Sequence, residues 1–191
     1  MRLLCVRHGE TIGNKQPGVY GQTNYDLTDK GRKEAHDTKK NIQSIVERID
    51  AVYSSDLDRA INTAKIICPN KSIKEDKKLR EIDFGVATEY KTMRDFENEY
   101  PNAVKSITDS YPEGESFKDV YNRVIEKIEQ IVENHTDNET ILVVMHGGPI
   151  SCLFSYIEDY KITNTPDVKT SEFLEIKYKN NTFEIISNHK N

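Results

Sequence analysis

The chain has 191 residues, 31% of them charged and 36% hydrophobic, with a formal net charge of -5 at pH 7. That length suits one domain with a real core, and the acidic balance argues against nucleic acid or an anionic membrane as the main partner, since both select a basic face. No apolar run approaches the ~20 residues of a membrane span, and the first residues carry no signal-peptide layout, so a cytoplasmic protein is expected.

The first element is the apolar run Leu3-Leu4-Cys5-Val6, which stops abruptly at Arg7-His8-Gly9-Glu10-Thr11. A buried parallel strand delivers a site at its carboxyl end in this way. Residues 12 to 26, with Gly13, Pro17, Gly18 and Gly21, read as a loop beside that site. Thr28 then caps a helix running to about Arg48, with Ala35, Ile42, Ile45, Val46 and Ile49 on one side. A second strand over Ala51 to Ser55 leads into a helix from Asp56. Its Leu57, Ala60, Ile61, Ala64, Ile67 and Cys68 form an apolar stripe, and Arg59 points away from it, toward the strand ends.

Ser72 to Asp76 reads as a short strand, followed by the stretch Leu79 to Gly85. Residues 86 to 111 hold two short helical patterns broken at Pro101 and no sheet signal, which predicts an inserted helical flap. After a turn at Pro112-Glu113-Gly114, Ser116 and Asp119 form a capping box for a long helix whose apolar face is Phe117, Val120, Tyr121, Val124, Ile125, Ile128, Ile131 and Val132. Thr140 to Met145 is the strongest strand. It ends in His146-Gly147-Gly148-Pro149, and a helix follows from Pro149 to about Ile157. Glu172 to Tyr178 and Thr182 to Ser187 alternate around Asn180-Asn181, a hairpin pattern.

These elements predict one domain over residues 1 to 191. It is a three-layer α/β/α fold with a mostly parallel central sheet, helices on both faces, and the flap of residues 86 to 111 over the strand carboxyl ends. In such a sheet residues far apart in sequence meet along one edge. Arg7, His8, Arg59 and His146 would then surround one hollow. Guanidinium forks beside imidazoles suit a doubly charged oxyanion, with phosphate the natural guess. Cys5, Cys68 and Cys152 read as small reduced core residues. His36, His135 and His189 read as surface residues. No Cys or carboxylate spacing supports a metal site, so none is expected.

The ordered set of motifs then carries a resemblance. Arg7-His8-Gly9-Glu10-Thr11, Gly21-Gln22-Thr23 with Leu27-Thr28 and Gly31, Tyr53 to Ala60 with Thr63-Ala64, Leu79 to Gly85, Gly114-Glu115-Ser116, Arg123, and Val144 to Gly148 follow one another. Over roughly residues 2 to 155 the chain resembles the histidine phosphatase superfamily, the group that holds cofactor-dependent phosphoglycerate mutases and many small metabolite phosphatases. The resemblance implies a phosphohistidine mechanism, with His8 as nucleophile, Glu81 as proton donor, and Arg7, Asn14, Arg59 and His146 around the phosphate. It implies no cofactor and no metal.

Substrate contact is expected from Thr11, Gln22, Thr23 and Gly147, although the first three serve equally well as loop or cap residues. Asp83 competes with Glu81 for its role, and Glu10 reads as structural. Nearby cations, a protonated His146 among them, would keep His8 neutral and nucleophilic. The stretch Glu81-Ile82-Asp83-Phe84-Gly85 is similar to that of the phosphatases, α-ribazole phosphatase included. Hydrolysis of a small phosphorylated metabolite is therefore expected ahead of mutase-type transfer or a non-catalytic phosphate-binding regulator. Ala87, Thr88 and Glu89 depart from the tryptophan, acidic residue and glycine usual there, which bears on how the flap packs. Monomer and homodimer both stay open.

Overall fold

A computed structural model describes residues 1–159, 161 and 165–190 of the chain. Its strands are β1 (Arg2–Arg7), β2 (Ala51–Ser54), β3 (Ile73–Glu75), β4 (Thr140–Met145), β5 (Phe173–Lys179) and β6 (Thr182–His189). The helices are α1 (Ile12–Lys15), α2 (Asp29–Ile45), α3 (Asp58–Ile67), α4 (Met93–Glu99), α5 (Phe117–Glu133) and α6 (Gly147–Glu158). One six-stranded sheet runs in the order β3-β2-β4-β1-β5-β6. The first four strands are parallel, and the β5-β6 hairpin is added antiparallel beside β1.

Side chains alternate across this sheet and so build two cores. Leu3 and Cys5 of β1, Ile141, Val143 and Met145 of β4, and Leu174 and Ile176 of β5 pack with α5 and α6. Leu4, Val6, Val52, Leu142, Val144 and Phe173 pack on the other face against Ile42 of α2 and Ala60, Ala64 and Ile67 of α3. A strand covered on both faces needs apolar residues at every position, which is why β1 and β4 read as unbroken runs. This is the mostly parallel α/β architecture that the sequence predicts.

The sheet order places the site. β1 lies beside β4 and β4 beside β2, with Arg7 opposite Met145 and Ser54 opposite Val144. The next residues, His8, His146 and Ser55, therefore leave the sheet side by side. Gly9 and Gly31 hold the turn after β1 against the start of α2. A β-carbon on Gly31 would stand 2.1 Å from the Glu10 carbonyl oxygen, and one on Gly9 would stand 2.5 Å from the Gly31 carbonyl oxygen.

Several boundaries differ from the sequence reading. The loop of residues 12 to 26 contains one helical turn, because Thr11 and Asn14 cap it reciprocally. α2 stops at Ile45, because the chain is extended at Val46, and Val46 and Ile49 pack against the second core. α3 starts at Asp58, since the Asp56 carboxylate is held by Arg80 at 2.6 Å and does not cap. α6 starts at Gly147, with His146 as its cap residue. Of the two helical patterns in residues 86 to 111 only α4 forms. A 3-10 turn at Gly85–Glu89 precedes it, and turns and bends follow. His135 is not a surface residue, because Tyr53 and Glu139 enclose its ring and leave the side chain 9% exposed. The hairpin turns through Asn180 and Asn181 at φ of 53° and 59°, a left-handed pair that Asn tolerates.

Replacing Gly31 with Ala should cost about 2 to 3 kcal/mol in a urea unfolding titration, because the clash is with backbone that cannot swing aside. An unchanged midpoint would show that the turn after β1 yields.

Candidate active site

His8 leaves β1 only 4% exposed, with its ring held from both sides. Nδ1–H donates to the Gly9 carbonyl at 2.8 Å, and Nε2 accepts from Arg59 Nε at 3.2 Å. The same Arg59 Nε–H lies 3.2 Å from Nδ1 of His146, whose Nε2–H donates to Ser55 Oγ at 2.9 Å. An arginine Nε always carries its hydrogen, so both ring nitrogens that face it present lone pairs. The ring centroids are 5.0 Å apart. Two neutral imidazoles thus point lone pairs at one spot.

Arg59 lies on the first turn of α3, where it is 5% exposed. Its Nη1 donates to the Thr23 carbonyl at 2.8 Å and its Nη2 to the Gly21 carbonyl at 2.7 Å. The loop between α1 and α2 is therefore its socket. Thr63, one turn further along α3, donates to the Arg59 carbonyl at 2.7 Å and accepts from the Gly9 N–H at 3.0 Å. One hydroxyl ties the helix that carries Arg59 to the peptide that orients His8. Arg7 donates through Nη1 to the Val168 carbonyl at 2.8 Å, and its buried Nε–H has no acceptor among the described residues. A buried donor without a partner is costly, and an oxyanion in the adjoining hollow would supply one.

Burial, then the Arg59 charge, push His8 well below the ordinary imidazole range, with Arg7 adding to them and the Gly9 carbonyl opposing. Burial, then Arg59 and His8, do the same to His146. The sequence reading of a protonated His146 is thus corrected. The same surroundings that favour neutral His8 favour neutral His146. Burial also brings Arg59 down to about 10, against which the Glu81 carboxylate acts.

Glu81 comes from the irregular stretch before Gly85, and its carboxylate sits at the amino end of α6. Gly148 N–H lies 3.2 and 3.3 Å from its two oxygens, and Ile82 N–H lies 3.0 Å from Oε1. A β-carbon on Gly148 would stand 2.3 Å from Oε1, so glycine is what lets the carboxylate approach. Helix amides and their dipole favour an anion there.

Arg7, His8, Asn14, Arg59 and Glu81 line one hollow of about 120 Å³, joined by Thr11, Tyr20, Tyr25 and Phe84. Thr11 spends its N–H and hydroxyl on Asn14 Oδ1, both at 2.9 Å, which leaves the Asn14 amide nitrogen as the donor for an anion. Gln22 lies outside the lining. It donates to the Glu81 carbonyl at 3.1 Å and accepts from Arg80 at 3.0 Å. Thr23 gives its carbonyl to Arg59, and Gly147 backs onto the Arg7 guanidinium, with a would-be β-carbon 3.4 Å from Cζ. Asp83 accepts from the Gly85 N–H at 3.0 Å and serves its own turn. Glu10 takes Lys30 at 2.9 Å and Thr28 at 2.8 Å.

Sequence reasoning missed Ser55, Thr63 and the aromatic lining. Ser55 could have been found, since it follows β2 as His8 follows β1. Tyr20, Tyr25 and Phe84 lie in aperiodic chain and gave no signal.

Three comparisons bear on this geometry. The family model described as the histidine phosphatase superfamily, branch 1, matches residues 3–189. Phosphoglycerate mutase-like protein 4 of Arabidopsis thaliana is 33% identical over 166 residues, 80% of this chain and 69% of that protein. Phosphoserine phosphatase 1 of Hydrogenobacter thermophilus is 30% identical over 162 residues, 81% of this chain and 74% of that one. Among solved structures, Bacillus stearothermophilus YhfR superposes with a TM-score of 0.87 at 29% identity, covering 97% of this chain and 95% of that chain.

The depressed imidazoles set a pH dependence of stability. The unfolded chain protonates them near pH 6.5 and the folded chain only at lower pH, so their contribution is complete above about 6.5 and is lost as pH falls. At about 1.4 kcal/mol per pH unit each, the two should together remove about 2 to 3 kcal/mol per unit below about pH 6. Urea titrations of the wild type and a His8→Gln/His146→Gln double variant check this. Equal slopes in both would remove the imidazoles as the cause.

Proposed function

Because the chain belongs to the histidine phosphatase superfamily, we propose that it hydrolyses phosphate monoesters of small metabolites through a phosphohistidine on His8. The observation that carries this reading is the single Arg59 Nε–H set between the lone pairs of His8 Nε2 and His146 Nδ1, beside the unpartnered Arg7 Nε–H. A nucleophilic nitrogen and cationic donors address the same small volume.

The ester's phosphoryl group enters among Arg7, Arg59 and Asn14, whose donors spread its charge as it transfers, while the neutral His146 behind them holds the Arg59 Nε–H in place. His8 Nε2 attacks phosphorus, the ester P–O bond breaks, and the leaving oxygen takes a proton from the Glu81 carboxyl. That proton arrives with the monoanionic form of the ester. The Gly9 carbonyl keeps the opposite His8 nitrogen protonated throughout, so the ring neither flips nor loses its tautomer. Water then attacks the phosphohistidine, Glu81 takes its proton, and the P–N bond electrons return to Nε2. Inorganic phosphate leaves.

The similarity to a mutase-like relative raises transfer as the second reading. A mutase must hold a doubly phosphorylated intermediate. Arg7 and Arg59 are the cations among the described lining residues, and one phosphoryl group occupies both. That supports hydrolysis.

His8→Ala should abolish the acid-labile phosphoenzyme and lower turnover by more than about 1000-fold. Glu81→Gln should lower kcat/KM for an alkyl phosphate about 100-fold or more and leave inhibition by inorganic phosphate within about threefold. Labelled ester, an alkaline quench that preserves the P–N bond and a phosphate-release assay with chelator present measure both. Label retained in the His8→Ala protein would refute the intermediate, and transfer from a bisphosphorylated donor without phosphate release would favour the mutase.

A further inference from the structure

Glu81 stands on chain that belongs to neither helix nor strand. Residues 80 to 84 join the 3-10 turns Lys77–Leu79 and Gly85–Glu89 and have no ladder to hold them. A proton donor must nevertheless stay within hydrogen-bond reach of its target. Something outside this stretch has to fix it.

Arg123 of α5 meets that need. Its Nη1 donates to the carbonyls of Lys78 at 2.8 Å and Arg80 at 2.7 Å, and its Nη2 donates to the carbonyl of Glu81 itself at 3.0 Å. The guanidinium is oriented by Glu115, whose two oxygens take Nε and Nη2 at 2.8 Å each. Glu115 also accepts the Asp83 N–H at 3.0 Å, and its own N–H donates to the Asp83 carbonyl at 2.8 Å. The pair therefore grips the backbone on both sides of Glu81 and at Glu81. α5 gives it a rigid base, because Val120, Val124, Ile125 and Ile128 of that helix are buried in the core.

We propose that Arg123, locked by Glu115, is the positioning residue that holds the Glu81 carboxyl at the leaving-group oxygen. This rests on the role given to Glu81 under the proposed function. Arg123 is not among the residues that line the hollow, so it leaves phosphate binding and attack by His8 alone and governs the proton delivered to the departing oxygen. A planar fork with five N–H donors suits three carbonyls and a carboxylate at once, and a lysine ammonium would satisfy only part of the set.

Leaving-group chemistry separates this role from a purely structural one. An alkoxide needs a proton to depart, whereas p-nitrophenolate departs as a stable anion. kcat/KM reports the route up to P–O cleavage and is blind to the later water step. In the full-length Arg123→Gln protein, kcat/KM for an alkyl phosphate should fall about 100-fold and that for p-nitrophenyl phosphate should stay within about threefold, as should the inhibition constant of inorganic phosphate. Arg123→Lys should recover part of the alkyl rate, and Glu115→Gln should show the same split more weakly. Values are normalised to active sites counted by alkali-quenched phosphoenzyme, with Tm measured in parallel.

Equal losses on both esters, or none on either, would overturn the proposal. If Arg123→Gln does not fold, the same split or its absence in Glu115→Gln and Arg123→Lys decides. A wild-type protein that forms no phosphoenzyme from either ester would overturn the function assigned to the site. A wild-type protein that forms it, with variants lacking the split, would overturn the positioning role alone.

Discussion

One N–H placed between two imidazole lone pairs is the constraint on which the rest of this site depends. Arg59 Nε cannot give up its hydrogen, so it fixes both tautomers together, making Nδ1 of His8 and Nε2 of His146 the protonated nitrogens. Each of those hydrogens then requires its own acceptor, and the Gly9 carbonyl and Ser55 hydroxyl provide them. A guanidinium buried this far loses most of its hydration. The Gly21 and Thr23 carbonyls and the nearby Glu81 carboxylate offset that loss. Remove the loop that carries those carbonyls and the cation has no reason to stay.

The parallel sheet makes this arrangement reachable. Three neighbouring strands end at the same level, so His8, Ser55 and His146 project from one edge without any long-range coincidence of loops. α6 begins where β4 ends, and its Gly148 N–H donates to both oxygens of the Glu81 carboxylate. The Glu81 carboxylate thus joins His8 in the lining of one hollow, with the amino end of a helix against it. Each element adds one or two groups, and the two apolar cores on either side of the sheet keep the elements in register.

The insert between Gly85 and Tyr111 is held by aromatic packing more than by secondary structure. Phe96 is nearly fully buried and stacks on Tyr100 at 5.1 Å, with Tyr90 at 5.7 Å and Tyr111 at 5.8 Å around it. Tyr111 in turn meets Phe84 edge-on at 5.0 Å, and Phe84 lines the hollow. Aromatic pairs of this geometry contribute beyond the area they bury. Ala87 is wholly buried in the same apolar core.

The strands, the long helices and the residues at the strand ends were legible in the sequence because period and punctuation are local. Thr140 to Met145 is apolar at every position and ends at His146, and the capping box at Ser116 marks the start of α5 to the residue. Boundaries set by distant partners were not legible. Asp56 looked like a helix start until Arg80 claimed it, and α6 opens at Gly147, two residues before Pro149, with Glu81 from a remote stretch accepting the Gly148 N–H. The same division holds at the site. The sequence alone placed Arg7, His8 and His146 at the ends of buried strands, since the apolar runs before them stop there. Only the tertiary structure decided that one guanidinium hydrogen serves both imidazoles, that Gln22 and Thr23 support the site from behind, and that Arg123 reaches back to the peptide of Glu81, because each depends on a through-space distance that no local pattern encodes.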